Sequence, residues 1–257
     1  MPKRSDCPMQ SFDLDALLRY TPPEYVCERC CALLTGIPDG FAYRCPVCGV
    51  TYVPTDEYPT VGQYLSGRGL KLTHPDPILH GQRLALVARK AKASLAGQTM
   101  DYSPMRGLLE ALNTAQHCVH FTTFGISAFL LGVIKMAAQR VAIRGIISGI
   151  KRDEMYRELT TYADDAPHLQ TRVFTQDSQW FPHQKLLIVD GLIAFKGSAN
   201  LTDIGWRKAA QGREVIEVIT DMREVVELNN RFFSPVWAGF ERSQAQSEQI
   251  YMSAAGR

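Results

Sequence analysis

Residues 183 to 202 read His-Gln-Lys-Leu-Leu-Ile-Val-Asp-Gly-Leu-Ile-Ala-Phe-Lys-Gly-Ser-Ala-Asn-Leu-Thr, and no other stretch limits the possible folds of this chain as strongly. The apolar run Leu186 to Val189 has the length of a buried strand, Asp190-Gly191 is a tight-turn dipeptide, and Leu192 to Lys196 is a second strand returning antiparallel. Strand side chains alternate between faces. His183 and Lys185, two apart, therefore share a face, and Ser198 and Asn200, two apart after Gly197, line up with them. An imidazole, an ammonium, a hydroxyl and an amide converge at one end of a hairpin, with no carboxylate cluster to hold a catalytic metal.

That combination suits attack on a phosphodiester, because it sets a nucleophile beside a cation able to hold phosphate oxygens. The spacing His-x-Lys, four residues, Asp, six residues, Gly-Ser-x-Asn resembles the signature of the phospholipase D superfamily at every position, and six defined positions at fixed spacing are far more specific than an isolated His-x-Lys. The order of elements from about 100 to 240 follows the same family. The resemblance implies an α/β fold, a mixed β-sheet flanked by helices, and phosphodiester cleavage through a covalent phosphohistidine without a catalytic metal.

Five of the seven cysteines fall between Cys27 and Cys48. Cys27-x-x-Cys30 and Cys45-x-x-Cys48 are separated by fourteen residues, the arrangement in which two knuckles present four thiolates to one tetrahedral zinc ion. The segment resembles a zinc ribbon, with Cys27, Cys30, Cys45 and Cys48 as ligands and with Cys31 as either a free thiol or a replacement for Cys30. A disulfide framework is the competing reading. It is disfavoured because the start of the chain carries no secretory pattern, which points to a reducing, cytoplasmic setting. A closed four-thiolate site stabilises a segment too small to build its own core and takes no part in chemistry, so the expected cofactor is structural Zn2+ alone. A protein partner or nucleic acid bound through the ribbon stays open.

The chain divides on composition into residues 1–56 with the ribbon, 57–98 as linker and basic helix, 99–245 as the catalytic domain and 246–257 as a frayed tail. A short helix opened by Ser11 spans Phe12 to Tyr20, and no regular structure is assigned between 50 and 77. His80 to Ala96 is an amphipathic helix carrying Arg83, Arg89, Lys90 and Lys92 on its polar face. Helices and strands then alternate: a helix capped by Ser103 to about Gln116, a strand Cys118 to Ile126, a helix from Ser127, a strand Val141 to Ser148, a helix around Arg152 to Tyr162, a strand Thr171 to Gln176, the hairpin, a strand Val215 to Thr220, and a helix from Asp221 to about Phe240. Cys118 and His120 are read as buried strand residues, and His74, His80 and His168 receive no role. The most apolar window, about Phe124 to Ala138, is interrupted by polar residues and is shorter than the ~20 residues of a membrane span. A net charge of +2 leaves affinity for nucleic acid to local patches.

Only His183 of the six histidines begins a His-x-Lys. The resemblance implies that a single copy per chain works as a homodimer, in which two His183 imidazoles meet over one phosphorus, one attacking and one protonating the leaving oxygen. Lys185 and Asn200 then surround the non-bridging oxygens, Ser198 adds hydroxyl contacts, and Asp190 supports the turn. Glu214, with Glu217 as its rival, is the candidate to fix the histidine tautomer. Trp180 and Phe181 could stack on a base or an acyl chain. The leading functional expectation is a nuclease acting on DNA or RNA; a phospholipase or cardiolipin hydrolase and a silent nucleic-acid-binding module are the alternatives.

Overall fold

The computed structural model describes residues 23–37, 40–72, 77–148, 159, 166–174 and 183–239. The expected helix at 12–20, the expected helix at 152–162 apart from Leu159, the aromatic pair at 180–181, Cys7, His74 and the tail after 240 lie outside the described residues.

Two short antiparallel ribbons open the described chain. Strand β1 (Tyr25–Val26) pairs with β2 (Leu33–Leu34), and β3 (Tyr43–Arg44) pairs with β4 (Thr51–Tyr52). Helix α1 (Val61–Gly67) follows, within a stretch where the sequence reading assigned nothing regular. Its signal was local: the Thr60 hydroxyl accepts from the Gln63 N–H, and the Gln63 side chain accepts from the Thr60 N–H, the reciprocal capping box. Val61 and Leu65 of α1 pack among Tyr25, Cys27, Cys30 and Tyr52, so apolar packing of the cysteine segment continues past residue 56.

The remainder is a mixed sheet flanked by helices. Helix α2 (Pro77–Leu95) and α3 (Pro104–Thr114) precede β5 (Cys118–Thr123), α4 (Ala128–Ala137) and β6 (Ala142–Ile147). Then come β7 (Leu169–Val173), β8 (Lys185–Val189), β9 (Ile193–Gly197), α5 (Asp203–Ala210), β10 (Ile216–Ile219) and α6 (Met222–Leu228). Among the described residues the sheet order is β10-β9-β8-β5-β6-β7; the pairs β5/β6 and β6/β7 are parallel and the others antiparallel. Helix α5 has no counterpart among the elements expected from the sequence, although Thr202 caps it by accepting from the Gly205 N–H. The hairpin turns where expected, with Asp190 at φ 53° and Gly191 at φ 67°, both left-handed, in a turn closed by the Leu192 N–H donating to the Val189 carbonyl at 2.9 Å.

Alternation along β8 and β9 divides the interior. Leu187, Val189, Ile193 and Phe195 face the core built with α2, α3, α4 and Trp206 of α5. Leu186, Ile188 and Ala194 face Leu33 of the first ribbon and Val225 and Leu228 of α6. The first ribbon is thus pressed onto the sheet. Asn230 donates to the Leu33 carbonyl at 2.9 Å and accepts from the Leu33 N–H at 2.8 Å, pairing with that strand residue as another strand would.

Helix α6 widens into a π turn over Asn229–Phe233, and the buried Asn229 uses that turn to bridge three elements. Its Oδ1 accepts from His120 Nδ1 at 2.7 Å, while its Nδ2 donates to the Cys31 carbonyl at 3.0 Å. His120 also stacks on Phe233 at 4.7 Å. Burial pushes His120 down to about 4, with the Asn229 bond only partly opposing it. The unfolded chain takes up this proton near ~6.5, whereas the folded chain resists until about 4, so stability is lost as pH falls through that window. Urea unfolding is expected to show a loss of about 3 kcal/mol between pH 6.5 and 4 that disappears in His120→Gln; an equal slope in the variant would show that His120 is not the cause.

Candidate active site at the hairpin mouth, and a four-sulfur cluster

Lys185 opens β8, and His183 lies just before the strand, exposed to solvent. The same-face argument therefore applies to only one of the pair. What brings them together is Phe124, at the end of the neighbouring β5: its ring stacks on the His183 imidazole at 5.8 Å and 22°, and Lys185 Nζ sits 6.0 Å from the same ring centre. Thr122 anchors the approach by donating its hydroxyl to the Gln184 carbonyl at 2.9 Å. Lys185 Nζ donates to the His183 carbonyl at 2.6 Å. Burial lowers the Lys185 ammonium below the usual lysine range, and the Glu214 carboxylate partly opposes this.

After Gly197 the chain leaves the sheet, so Ser198 and Asn200 turn toward different neighbours. A Cβ on Gly197 would lie 2.0 Å from the Val215 carbonyl oxygen, which explains why glycine precedes the serine: only a bare Cα lets the chain before β10 come this close. Ser198 then accepts from the Val215 N–H at 3.0 Å and donates its hydroxyl to Glu214. Asn200 faces β5 instead. Its Oδ1 accepts from the Phe124 N–H at 3.1 Å and lies 3.5 Å from the Thr123 hydroxyl, so the amide oxygen is turned toward the end of β5.

Glu214 thus sits with Ser198 and near Lys185, and its described hydrogen bond goes to Ser198, where the sequence reading expected His183. Glu217 lies directly opposite Lys196 in the β9/β10 register, on the face away from Lys185. Asp190 is remote from this group. It is fully buried, and its carboxylate accepts from His80 Nε2 at 2.7 Å and from the N–H groups of Gln116, His117 and Cys118, each at 2.9 Å. Burial alone would raise its pKa; these four donors outweigh it and hold the carboxyl below the usual range. Asp190 therefore fastens α2 and the start of β5 to the hairpin, a wider role than the turn support read from sequence. His80, given no role there, is its buried partner.

The sulfurs of Cys27, Cys30, Cys45 and Cys48 all lie within 4.8 Å of one another, with Cys27–Cys48 at 3.7 Å and Cys30–Cys45 at 3.6 Å. A tetrahedron of ~2.3 Å zinc–sulfur bonds has edges of about 3.8 Å, so the spacing fits one such ion. The two knuckles match bond for bond. Cys31 N donates to Cys27 O and Gly49 N to Cys45 O; Cys27 N donates to Ala32 O and Cys45 N to Val50 O. Cys31 at φ 59° thus occupies the left-handed position that Gly49 fills at φ 73° in the second knuckle. Its side chain points away from the cluster into a pocket of Ile146, Phe174, Phe233 and Trp237, and burial pushes its thiol up to about 12. Cys30, not Cys31, joins the other three sulfurs.

Residues 108–237 match the family model described as the PLD-like domain of cardiolipin synthase. The chain belongs to the phospholipase D-like family, whose members act on phosphodiesters. It is 30% identical over 140 residues to cardiolipin synthases of Listeria welshimeri and Listeria monocytogenes, a match covering 52% of this chain but only 28% of theirs. Among solved structures, it is similar to the phospholipase D family member Nuc from Salmonella typhimurium at 20% identity and a TM-score of 0.41, covering 53% of this chain and 85% of Nuc. NucT from Helicobacter pylori is 16% identical at a TM-score of 0.39, covering 62% and 91%. No helix among the described residues is long and apolar enough to cross a membrane.

Proposed function

We propose that this chain is a metal-independent phosphodiesterase, a nuclease that cleaves DNA or RNA through a covalent phosphohistidine at a site completed by a second copy of itself. The observation that carries this reading is the grouping of His183, Lys185 and the Asn200 amide around Phe124. One His183 imidazole attacks phosphorus in line, and the His183 of a second copy gives its proton to the departing oxygen. Water, deprotonated by that second imidazole, then displaces the first and releases the phosphate product. Lys185 and Asn200 hold the non-bridging oxygens as charge builds on them. Exposed Phe129, Ile204 and Val215 follow site residues closely in the chain and offer apolar surface for the second copy. Exposed Arg83 and Arg89 on α2 give a backbone phosphate local positive charge.

The four sulfurs would hold one zinc ion. Bound there, zinc cross-links the two knuckles and offers no open coordination position. The Tyr52 hydroxyl donates to Cys27 Sγ at 3.0 Å, the kind of outer contact that orients a ligand.

A second reading, hydrolysis or transfer on a cardiolipin-type diester, is favoured by the family model and by the relatives named cardiolipin synthase. Incubation in excess EDTA with single- and double-stranded DNA, RNA and cardiolipin vesicles separates the two. Nucleic acid is expected to be cut and cardiolipin left intact, with about one zinc per chain by elemental analysis. Turnover of cardiolipin alone would transfer the function to the lipid reading. Cleavage lost in EDTA and restored by Mg2+ would overturn the metal-independent mechanism.

A further inference from the structure

We propose that Phe124 is the positioning residue of the site: its ring fixes the orientation of His183 and Lys185 while its own N–H fixes the amide of Asn200. This rests on the reading of His183 as nucleophile. The need for such a residue is visible in the local structure. His183 is exposed and precedes the first hydrogen-bonded residue of β8, so the strand itself does not set its side-chain torsions. The near-parallel stack at 5.8 Å and 22° restricts the imidazole to orientations in which its plane follows that of the phenyl ring. The same π face lies 6.0 Å from Lys185 Nζ, where a cation is attracted, so one ring sets the distance between nucleophile and phosphate clamp.

Phe124 can act as a reference because its own backbone is held. The Thr123 hydroxyl donates to the Gly125 carbonyl at 2.7 Å and accepts from the Leu201 N–H at 3.0 Å, and Ser127 N donates to Leu201 O at 3.0 Å. These bonds tie the end of β5 to the segment carrying Asn200. Three functional groups from two separate stretches of the hairpin are therefore registered against one residue contributed by a third. Phe124 touches no reacting atom; it acts through the residues that do.

Phe124→Leu keeps the N–H that holds Asn200 and removes only the aromatic face. With bis-p-nitrophenyl phosphate as substrate, kcat is expected to fall roughly tenfold with KM within about twofold, and Phe124→Tyr to return kcat to near the parent value. An independent readout is the proton spectrum of the His183 ring, assigned by its disappearance in His183→Ala. Its carbon-bound protons are expected to be displaced upfield by the phenyl ring current in the parent and in Phe124→Tyr, and to lose that displacement in Phe124→Leu. An unshifted His183 resonance in the parent protein, or a Leu variant with parental kcat, would overturn the proposal. Retained cleavage in His183→Ala would instead overturn the nucleophile assignment, which the ring-current measurement does not depend on.

Discussion

His183→Ala is expected to lower phosphodiester turnover by at least about four orders of magnitude while leaving the melting temperature close to that of the parent. The side chain is exposed and lies outside the hydrogen-bonded strand, so its removal opens no cavity in the core. On the proposed mechanism the activity loss should be large because one imidazole type serves both as nucleophile and as acid, and, among the described residues, the carboxylate beside Lys185, that of Glu214, is engaged with Ser198. A shared site makes a further, sharper demand. When variant and parent subunits exchange at equal amounts, only dimers with two intact histidines work, so activity should drop to about one quarter of that of an all-parent sample at the same total concentration, not to one half. Activity at one half, or an active monomer by light scattering, would mean that each chain carries a complete centre.

Asp190→Ala should cost about 3–5 kcal/mol of folding stability in urea titrations, because it strips several donors of one buried, ionised acceptor. The carboxylate is the acceptor for His80 and for three successive N–H groups at the entry to β5, and all of them would lose it. Adding His80→Leu to the variant should recover part of the loss, since the unpaired imidazole is then gone. The pH dependence follows from the depressed carboxyl: its contribution is fully present above the unfolded value near ~3.9 and is lost as pH falls toward the lower folded value. This window lies below the one assigned to His120, so the two groups can be told apart in one acid titration. A loss under about 1 kcal/mol would show that the interior tolerates the unpaired donors and that the hairpin is fastened elsewhere.

Both variants concern one motif, yet they test opposite ends of it. His183, Lys185, Ser198 and Asn200 lie at the open end of the hairpin, whereas Asp190 lies at the closed end, in the turn itself. The strand between them, Leu186 to Val189, is what separates chemistry from stability. The cysteine segment joins this frame through Leu33 on one side and Cys31 on the other, so the His120–Asn229–Cys31 connection links the four-sulfur cluster to the central strand β5.

The sequence by itself determined whatever depends on neighbours along the chain. Alternation placed the β8–β9 hairpin, Asp190-Gly191 marked its turn, the caps at Ser103, Ser127 and Asp221 marked helix starts, and the two Cys-x-x-Cys pairs marked the sulfur cluster. Local geometry suffices for these because hydrogen-bond reach in turns and caps spans only a few residues. The tertiary structure alone decided which residues meet across long separations. The partnership of His80 with Asp190, 110 residues apart, left no mark in the spacing of either. Phe124 reads locally as part of an apolar window and acquires its place only when β5 pairs with β8. Cys31 was ambiguous for the same reason: adjacent thiols are indistinguishable until the knuckle's left-handed turn sends one sulfur to the cluster and the other into the sheet's core.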